Sequence, residues 1–154
     1  MTTFGYYQIH TITSSSELTD YQLKFTINKS TGSSNGSIIY CNDHCNDNFS
    51  DLRFSLDQTN LLSYWIESYV SGTSAVVWVK LPSITTTQSL YIYYGSVGAT
   101  SKSNGENTFD FFDDFTNGLT KWNILGDTPT IVNGILTTST YNTYLKTTVS
   151  TFVS

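Results

Sequence analysis

Apolar and polar residues alternate with period two along much of this chain, which is the pattern a half-buried β-strand requires. In YQLKFTIN, Leu23, Phe25 and Ile27 fall on one side, and Gln22, Lys24 and Thr26 on the other. DLRFSL repeats the pattern, and places Leu52, Phe54 and Leu56 inward with Asp51, Arg53 and Ser55 outward or toward an edge. Further strands are predicted at YYQIHTIT (6–13), SIIYC (37–41), LLSYWIESYV (61–70), SAVVWVKL (74–81) and SLYIYYG (89–95). Turn-forming clusters separate them: SSSELTD, STGSSNG, SGTS and PSITTTQ. No segment of ten or more residues carries an apolar period of 3.6, so the expected fold is an all-β, jelly-roll-like antiparallel sandwich.

Near residues 99–107 the style changes, and ATSKSNGEN reads as a polar linker. Beyond it, Asn133-Gly134 between Val132 and Ile135 predicts a two-residue hairpin turn. A sandwich needs roughly 100 residues, so residues 108–154 are too few for an independent one. The expected division is therefore a first sandwich over 1–107 and a β segment over 108–154 that packs on it, on a neighbour, or is incomplete.

Composition narrows the picture. With 154 residues, 38% hydrophobic and 15% aromatic, the chain can bury one sizeable core. Charged residues are only 12%, about half the usual share, so the surface is expected to be neutral and rich in hydroxyls. A net charge of −5, with seven basic residues scattered along the chain, leaves no footprint for nucleic acid or an anionic membrane. No run approaches a membrane span, and MTTFGYYQIH has neither a basic start nor an apolar signal core. An exported form would thus need a leader outside this sequence or another route out of the cell. Asn28, Asn35 and Asn48 each open an N-x-S triplet, a weak pointer to an extracellular glycoprotein.

Residues 51–112 carry a resemblance. DLRFS, LLSYWIESYV, AVVWVKLPSI, LYIYYG and ATSKSNGENTFDFFDDF are similar, in order and spacing, to the DUF2341 domain, and the opening strands extend the likeness to about residues 5–112. That family is found in surface and secreted proteins of archaea and bacteria and commonly precedes a concanavalin A-like sandwich. FFDDFTNGLTKWNILGDTPTIVNGILTTST resembles the opening strands of such a domain. The resemblance implies an extracellular module that accompanies lectin-like domains, and it supplies no activity.

The chemistry-bearing residues concentrate in SIIYCNDHCNDNFSDLRFS (37–55), which holds both cysteines, the only arginine and three aspartates. Cys41, Cys45 and His44 supply at most three of the four ligands of a structural zinc site. A disulfide that closes the Cys41–Cys45 loop is the favoured reading in an oxidising setting, with two buried free thiols as the alternative. Asp43, Asp47, Asn48 and Asp51 offer oxygen ligands of the kind calcium accepts, as do Asp113 and Asp114 beside Asp110, but Asx residues also populate turns for their own backbone bonds. No cofactor is otherwise implied. No nucleophile elbow and no alternating pair of acids supports hydrolysis, so an enzyme is not expected. Arg53 and Glu67 sit among large apolar neighbours and are expected to be paired, Arg53 with Glu67 or Asp51.

Strand alternation puts Trp65, Glu67 and Tyr69 on one face, while Tyr91 and Tyr93 flank an inward Ile92. Tyr91, Tyr93, Trp65 and Tyr69 are the candidate stacking residues, with core filling the alternative for the tryptophans. The functional expectation is a non-enzymatic module for surface display or adhesion, with glycans or another surface polymer as partner. The rival is a self-assembling subunit of a filament or virion that exchanges strands with copies of itself.

Overall fold

A computed structural model describes residues 3–84, 86–138 and 143–148. The chain divides into two units, residues 1–109 and 110–154. The first unit is built from seven strands: β1 (Tyr6–Thr13), β2 (Leu18–Asn28), β3 (Ile38–Tyr40), β4 (Arg53–Ser55), β5 (Tyr64–Val70), β6 (Ser74–Ile84) and β7 (Thr87–Tyr94). They form a four-stranded sheet in the order β3-β2-β6-β5 and a three-stranded sheet in the order β1-β7-β4. All pairings are antiparallel except β2 with β3, where Thr26 to Asn28 run parallel to Ile38 to Tyr40. The polar loop between them makes a crossover instead of a hairpin, which reverses the direction expected for SIIYC.

The two sheets face each other across one core. Phe25, Ile27, Tyr64, Val77, Val79 and Leu81 come from the first sheet, and Phe54, Leu90 and Ile92 from the second. Burying each such side chain contributes about 1.5–3 kcal/mol, so this layer dominates the stability of the unit. Contacts between the sheets are direct: the rings of Phe54 and Tyr64 meet edge to face at 5.3 Å, and those of His10 and Phe25 at 5.8 Å. This is an all-β sandwich, and its only helix among the described residues is α1 (Gly105–Thr108). No helix there is long and apolar enough to cross a membrane.

Three departures from the sequence reading bear on function. First, β4 does not alternate: Asp51, Leu52, Arg53, Phe54 and Ser55 are all buried. The following loop folds back along the edge of the strand, with the Leu62 N–H donating to the Phe54 carbonyl at 2.8 Å and Ser55 bridging Leu61, and Arg53 lies against the Phe4 ring and the Thr100 carbonyl. Second, residues 99–109 are no linker. The strap is pinned to the first unit by Asn104 N–H to the Tyr64 carbonyl (2.8 Å), Lys102 N–H to the Tyr64 hydroxyl (3.1 Å) and Ile66 N–H to Ser103 Oγ (2.8 Å). Asn104 caps α1 by accepting from Asn107 N–H at 3.0 Å, and Thr108 is buried. Third, the β5–β6 ladder slips by one residue between Ile66 and Ser68, a bulge that leaves Glu67 unpaired.

The second unit holds β8 (Trp122–Leu125), β9 (Thr130–Val132), β10 (Ile135–Thr137) and β11 (Tyr144–Thr147). β9 and β10 pair across Asn133-Gly134, whose φ values of 52° and 74° are the two left-handed residues that a type I′ hairpin turn requires. β8 pairs with β11. Trp122 anchors this unit: its Nε1 donates to Asp113 Oδ2 at 2.7 Å, and its ring meets Phe111 at 5.3 Å.

Candidate functional site

The cysteine corner begins where β3 ends. Cys41 N–H donates to the Asn28 carbonyl at 2.9 Å, holding the start of the corner to the end of β2. Asn42 and Asp43 then take left-handed φ values of 49° and 64°, and His44 N–H closes the turn onto the Cys41 carbonyl at 3.0 Å. Short polar side chains tolerate that conformation best, which is why N-D stands here. The favoured disulfide is not formed in this structure: Cys41 and Cys45 are free thiols, both buried. The neighbouring Cys45 thiol, and then burial, push the Cys41 thiol up, while the Cys41 thiol draws that of Cys45 down.

The acidic residues of the corner do not converge. Asp51 is fully buried and accepts three backbone N–H groups: Asn46 at 3.0 Å on Oδ1, and Gly95 at 2.7 Å and Ser96 at 3.2 Å on Oδ2. Asp47 pairs with Lys29, and Asp43 is exposed. In the second unit Asp113 accepts from Phe115 N–H and Trp122, while Asp114 accepts from the backbone and hydroxyl of Thr116. Among the described residues no three His, Cys, Asp or Glu side chains come together as a metal-holding group. Of the calcium candidates, Asp113 and Asp114 are engaged by donors near in sequence, as turn-forming Asx residues usually are, Asp47 and Asp51 are engaged chiefly by donors distant in sequence, and Asp43 is exposed. Of the triplet asparagines, Asn35 and Asn48 are exposed and Asn28 is half-buried at the end of β2.

The expected pairing of Arg53 with Glu67 or Asp51 is not what forms. Arg53 Nη1 donates to the carbonyls of Ser50 (3.1 Å) and Leu52 (2.6 Å) and to the Tyr64 hydroxyl (3.2 Å), and Nη2 to the Thr100 carbonyl (2.8 Å). The guanidinium also lies 5.7 Å from the centroid of the Phe4 ring. Because β4 is covered on both faces, the cation is satisfied by carbonyl oxygens of the surrounding loops instead of by an acid. Glu67, freed from the ladder by the bulge, instead accepts from Trp78 Nε1 at 2.9 Å and pairs with Lys24 at 3.1 Å. Those two partners hold its carboxyl below the usual range, the Trp78 bond first.

The bulge also separates the candidate aromatics. Trp65 lies opposite Trp78 on the outer side of its sheet, where Phe109 of the strap meets both rings edge to face at 5.8 and 5.7 Å. Tyr69 is shifted into register with Ala75, a core-facing position, and leans toward Phe49 at 6.5 Å. Trp65 and Tyr69 thus share no face.

Tyr91 and Tyr93 do lie together, on the outer face of the β1-β7-β4 sheet. The pairing sets Tyr7 beside Tyr93 and Arg53, then Ile9 beside Tyr91 and Ser55, then Thr11 beside Ser89 and Thr13 beside Thr87. Tyr7 sits 6.4 Å from Tyr91 and 5.9 Å from Tyr93, and Phe4 is 6.1 Å from Tyr93. Tyr7 and Ile9 are 58% and 54% exposed, and Tyr91 and Tyr93 are half-buried. Burial and the neighbouring Tyr91 and Tyr7 push the Tyr93 phenol up. Apart from the buried Arg53, every residue in these rows is uncharged. Phe4, Tyr7 and Ile9 are the members of this face that sequence reasoning missed. The alternation of YYQIHTIT contained the signal, but which of its two sides faced water was not readable.

An open cleft of about 710 Å³ lies beside the cysteine corner, lined by Lys29, His44, Cys45, Asp47, Asn48 and Val97 among others. On its near side the His44 ring stacks on Tyr6 at 3.7 Å and 6°.

Comparison with curated proteins and with solved structures gives no match. The family model for DUF2341, a domain of unknown function, matches residues 48–125, just over half of the chain. The match starts and ends later than the resemblance read over residues 5–112. It leaves Cys41 and Cys45 outside, and it runs through FFDDFTNGLTKWNIL to the end of β8. The first half of the stretch read as the opening of a concanavalin A-like domain therefore lies within the family's own match, and nothing in these comparisons supports the lectin-like assignment. On that match the chain belongs to the DUF2341 family of domains of unknown function.

Proposed function

We propose that this chain is a non-enzymatic, extracellular display or adhesion module that binds neutral glycan polymer on the outer face of the β1-β7-β4 sheet. The observation that supports this reading is the composition of that face: Tyr7, Tyr91 and Tyr93 at 5.9–6.4 Å in one half and Thr11, Thr13, Thr87 and Ser89 in the other. Aromatic rings offer stacking area to the apolar faces of sugars, and hydroxyls exchange hydrogen bonds with theirs. With no exposed charge in those rows, a neutral polysaccharide fits better than an acidic one. The glycan itself, the concanavalin A-like company and the location belong to this proposal.

The test is an array of neutral and acidic polysaccharides probed with the wild type and with Tyr91→Ala and Tyr93→Ala. The reading expects at least one neutral polymer to bind, with a loss of about tenfold per tyrosine while far-ultraviolet dichroism stays that of the folded wild type. An array without hits, or binding untouched by both substitutions, sinks it.

The self-assembly reading retains one specific support. β1 is an eight-residue strand at the edge of its sheet, paired among the described residues with β7 alone, and Tyr7 and Ile9 are exposed on it. Light scattering after size exclusion separates the two: polymers favour assembly, monomers favour the adhesion module.

A further inference from the structure

We propose that the cleft beside the β5 bulge is a second saccharide site, separate from the sheet face, that takes a short neutral sugar. The cleft has a volume of about 520 Å³, and its lining includes Asn48, Ser50, Glu67, Tyr69, Ser101 and Ser103. That size falls in the roughly 300–1,000 Å³ range of small-molecule sites. Three segments of the first unit meet there. β5 contributes Glu67 and Tyr69 where its ladder slips, the strap contributes Ser101 and Ser103, and the loop after the cysteine corner contributes Asn48 and Ser50. The bond from Ile66 N–H to Ser103 Oγ, at 2.8 Å, fastens the strap to the β5 wall, so the hollow is held open without a ligand.

The hydroxyls around it are set to donate. Ser103 Oγ accepts from Ile66 N–H, Ser101 Oγ from Ser103 N–H at 3.2 Å, and Ser50 Oγ from Asn46 Nδ2 at 3.1 Å. Each oxygen is thus held by a protein N–H, while none of the three O–H groups has an acceptor among the described residues. Asn48 is arranged alike: its Oδ1 accepts from Ser50 N–H at 3.1 Å, which leaves its NH₂ to donate. Donors gathered around one hollow suit a ligand rich in oxygen acceptors. Tyr69 adds an aromatic wall. It is 53% exposed, and its ring is braced against the buried Phe49 ring at 6.5 Å and 62°. Such a ring offers its face to the C–H side of a sugar.

Charge narrows the class. No lysine or arginine lines the cleft, and the Glu67 carboxyl on its wall is held in the ionised form by Trp78 Nε1 and Lys24. A carboxylate without a cation in the lining repels phosphate, sulfate and uronic acids, and accepts from the hydroxyls of a neutral sugar. The hollow holds one or two rings, whereas the flat sheet face suits a longer chain.

The experiment titrates the isotope-labelled, unglycosylated full chain with cellobiose, maltose, mannobiose and N,N′-diacetylchitobiose, with digalacturonate as the acidic arm, and follows amide shifts by NMR. At least one neutral disaccharide should shift the amides of Ser50, Ile66, Ser101 and Ser103 saturably, and digalacturonate should not. Tyr69→Ala should weaken that binding about tenfold and Ser101→Ala about fivefold, while far-ultraviolet dichroism stays that of the folded wild type. Shifts confined to amides of the β1-β7-β4 face would overturn this inference and leave the sheet-face reading standing. No shift with any neutral disaccharide, equal binding of digalacturonate in the cleft, or an affinity unchanged in both variants would overturn it as well.

Discussion

Asp51 offers the most direct test of what holds the first unit together. Its carboxyl is fully buried and joins the cysteine corner, through Asn46 N–H, to the end of β7, through Gly95 and Ser96 N–H. Asp51→Asn keeps one acceptor oxygen. If that oxygen stays on Gly95 and Ser96, the new amide NH₂ faces the Asn46 N–H, so one donor is lost and two donors are opposed. A buried donor left without an acceptor costs about 1–3 kcal/mol, which sets the loss for Asp51→Asn. Asp51→Ala strips all three and should cost about 3–5 kcal/mol, a large share of the roughly 5–15 kcal/mol a domain has in total. Urea denaturation measures both. With a slope of about 2 kcal/mol per molar, the asparagine variant should unfold about 1 M earlier at an unchanged slope. Amide exchange should quicken at Asn46, Gly95 and Ser96 in the alanine variant. Unfolding free energies within about 0.5 kcal/mol of wild type for both variants would refute the assignment of Asp51 as the tie between these segments.

Two further outcomes follow from single sites. Gly95 has φ 80°, and a Cβ there would sit 2.5 Å from Cδ2 of Tyr6, whose ring is stacked on His44. Gly95→Ala should therefore cost about 1–3 kcal/mol in chemical denaturation and shift the His44 ring protons in NMR; a wild-type midpoint would contradict it. Asp57 accepts from the N–H groups of Asn60 and Thr59 and from the Asn60 side chain, and these bonds hold its carboxyl well below the usual range, with Asn60 the larger cause. A depressed folded-state pKa stabilises above the ordinary carboxylate value of about 4, and that contribution is lost as pH falls below it. Glu67 and Asp114 shift in the same direction. Thermal melts between about pH 5 and pH 2 should thus show a steeper fall for wild type than for Asp57→Asn, and parallel curves would reject the linkage.

What the linear order of residues determined by itself was local. Period-two alternation located all seven strands of the first unit, because a pleated chain that buries one side must write its apolar residues at every second position. Asn133-Gly134 specified its turn for an equally local reason, two consecutive left-handed residues. The tertiary structure decided which surfaces were covered. β4 lost its alternation because Phe4 and the segment at Thr100 lie against Arg53 on the side that would otherwise meet water, and residues 99–109 became a strap because Tyr64 and Ile66 present groups for it to bond. The single inserted residue at Glu67 carried Tyr69 away from the face of Trp65 and handed the carboxyl to Lys24 and Trp78. Arg53 likewise found the carbonyl oxygen of Thr100, from a loop distant in sequence, beside those of its own neighbours Ser50 and Leu52. Alternation tells that a strand has two sides, but which side water reaches depends on what else the chain lays over it.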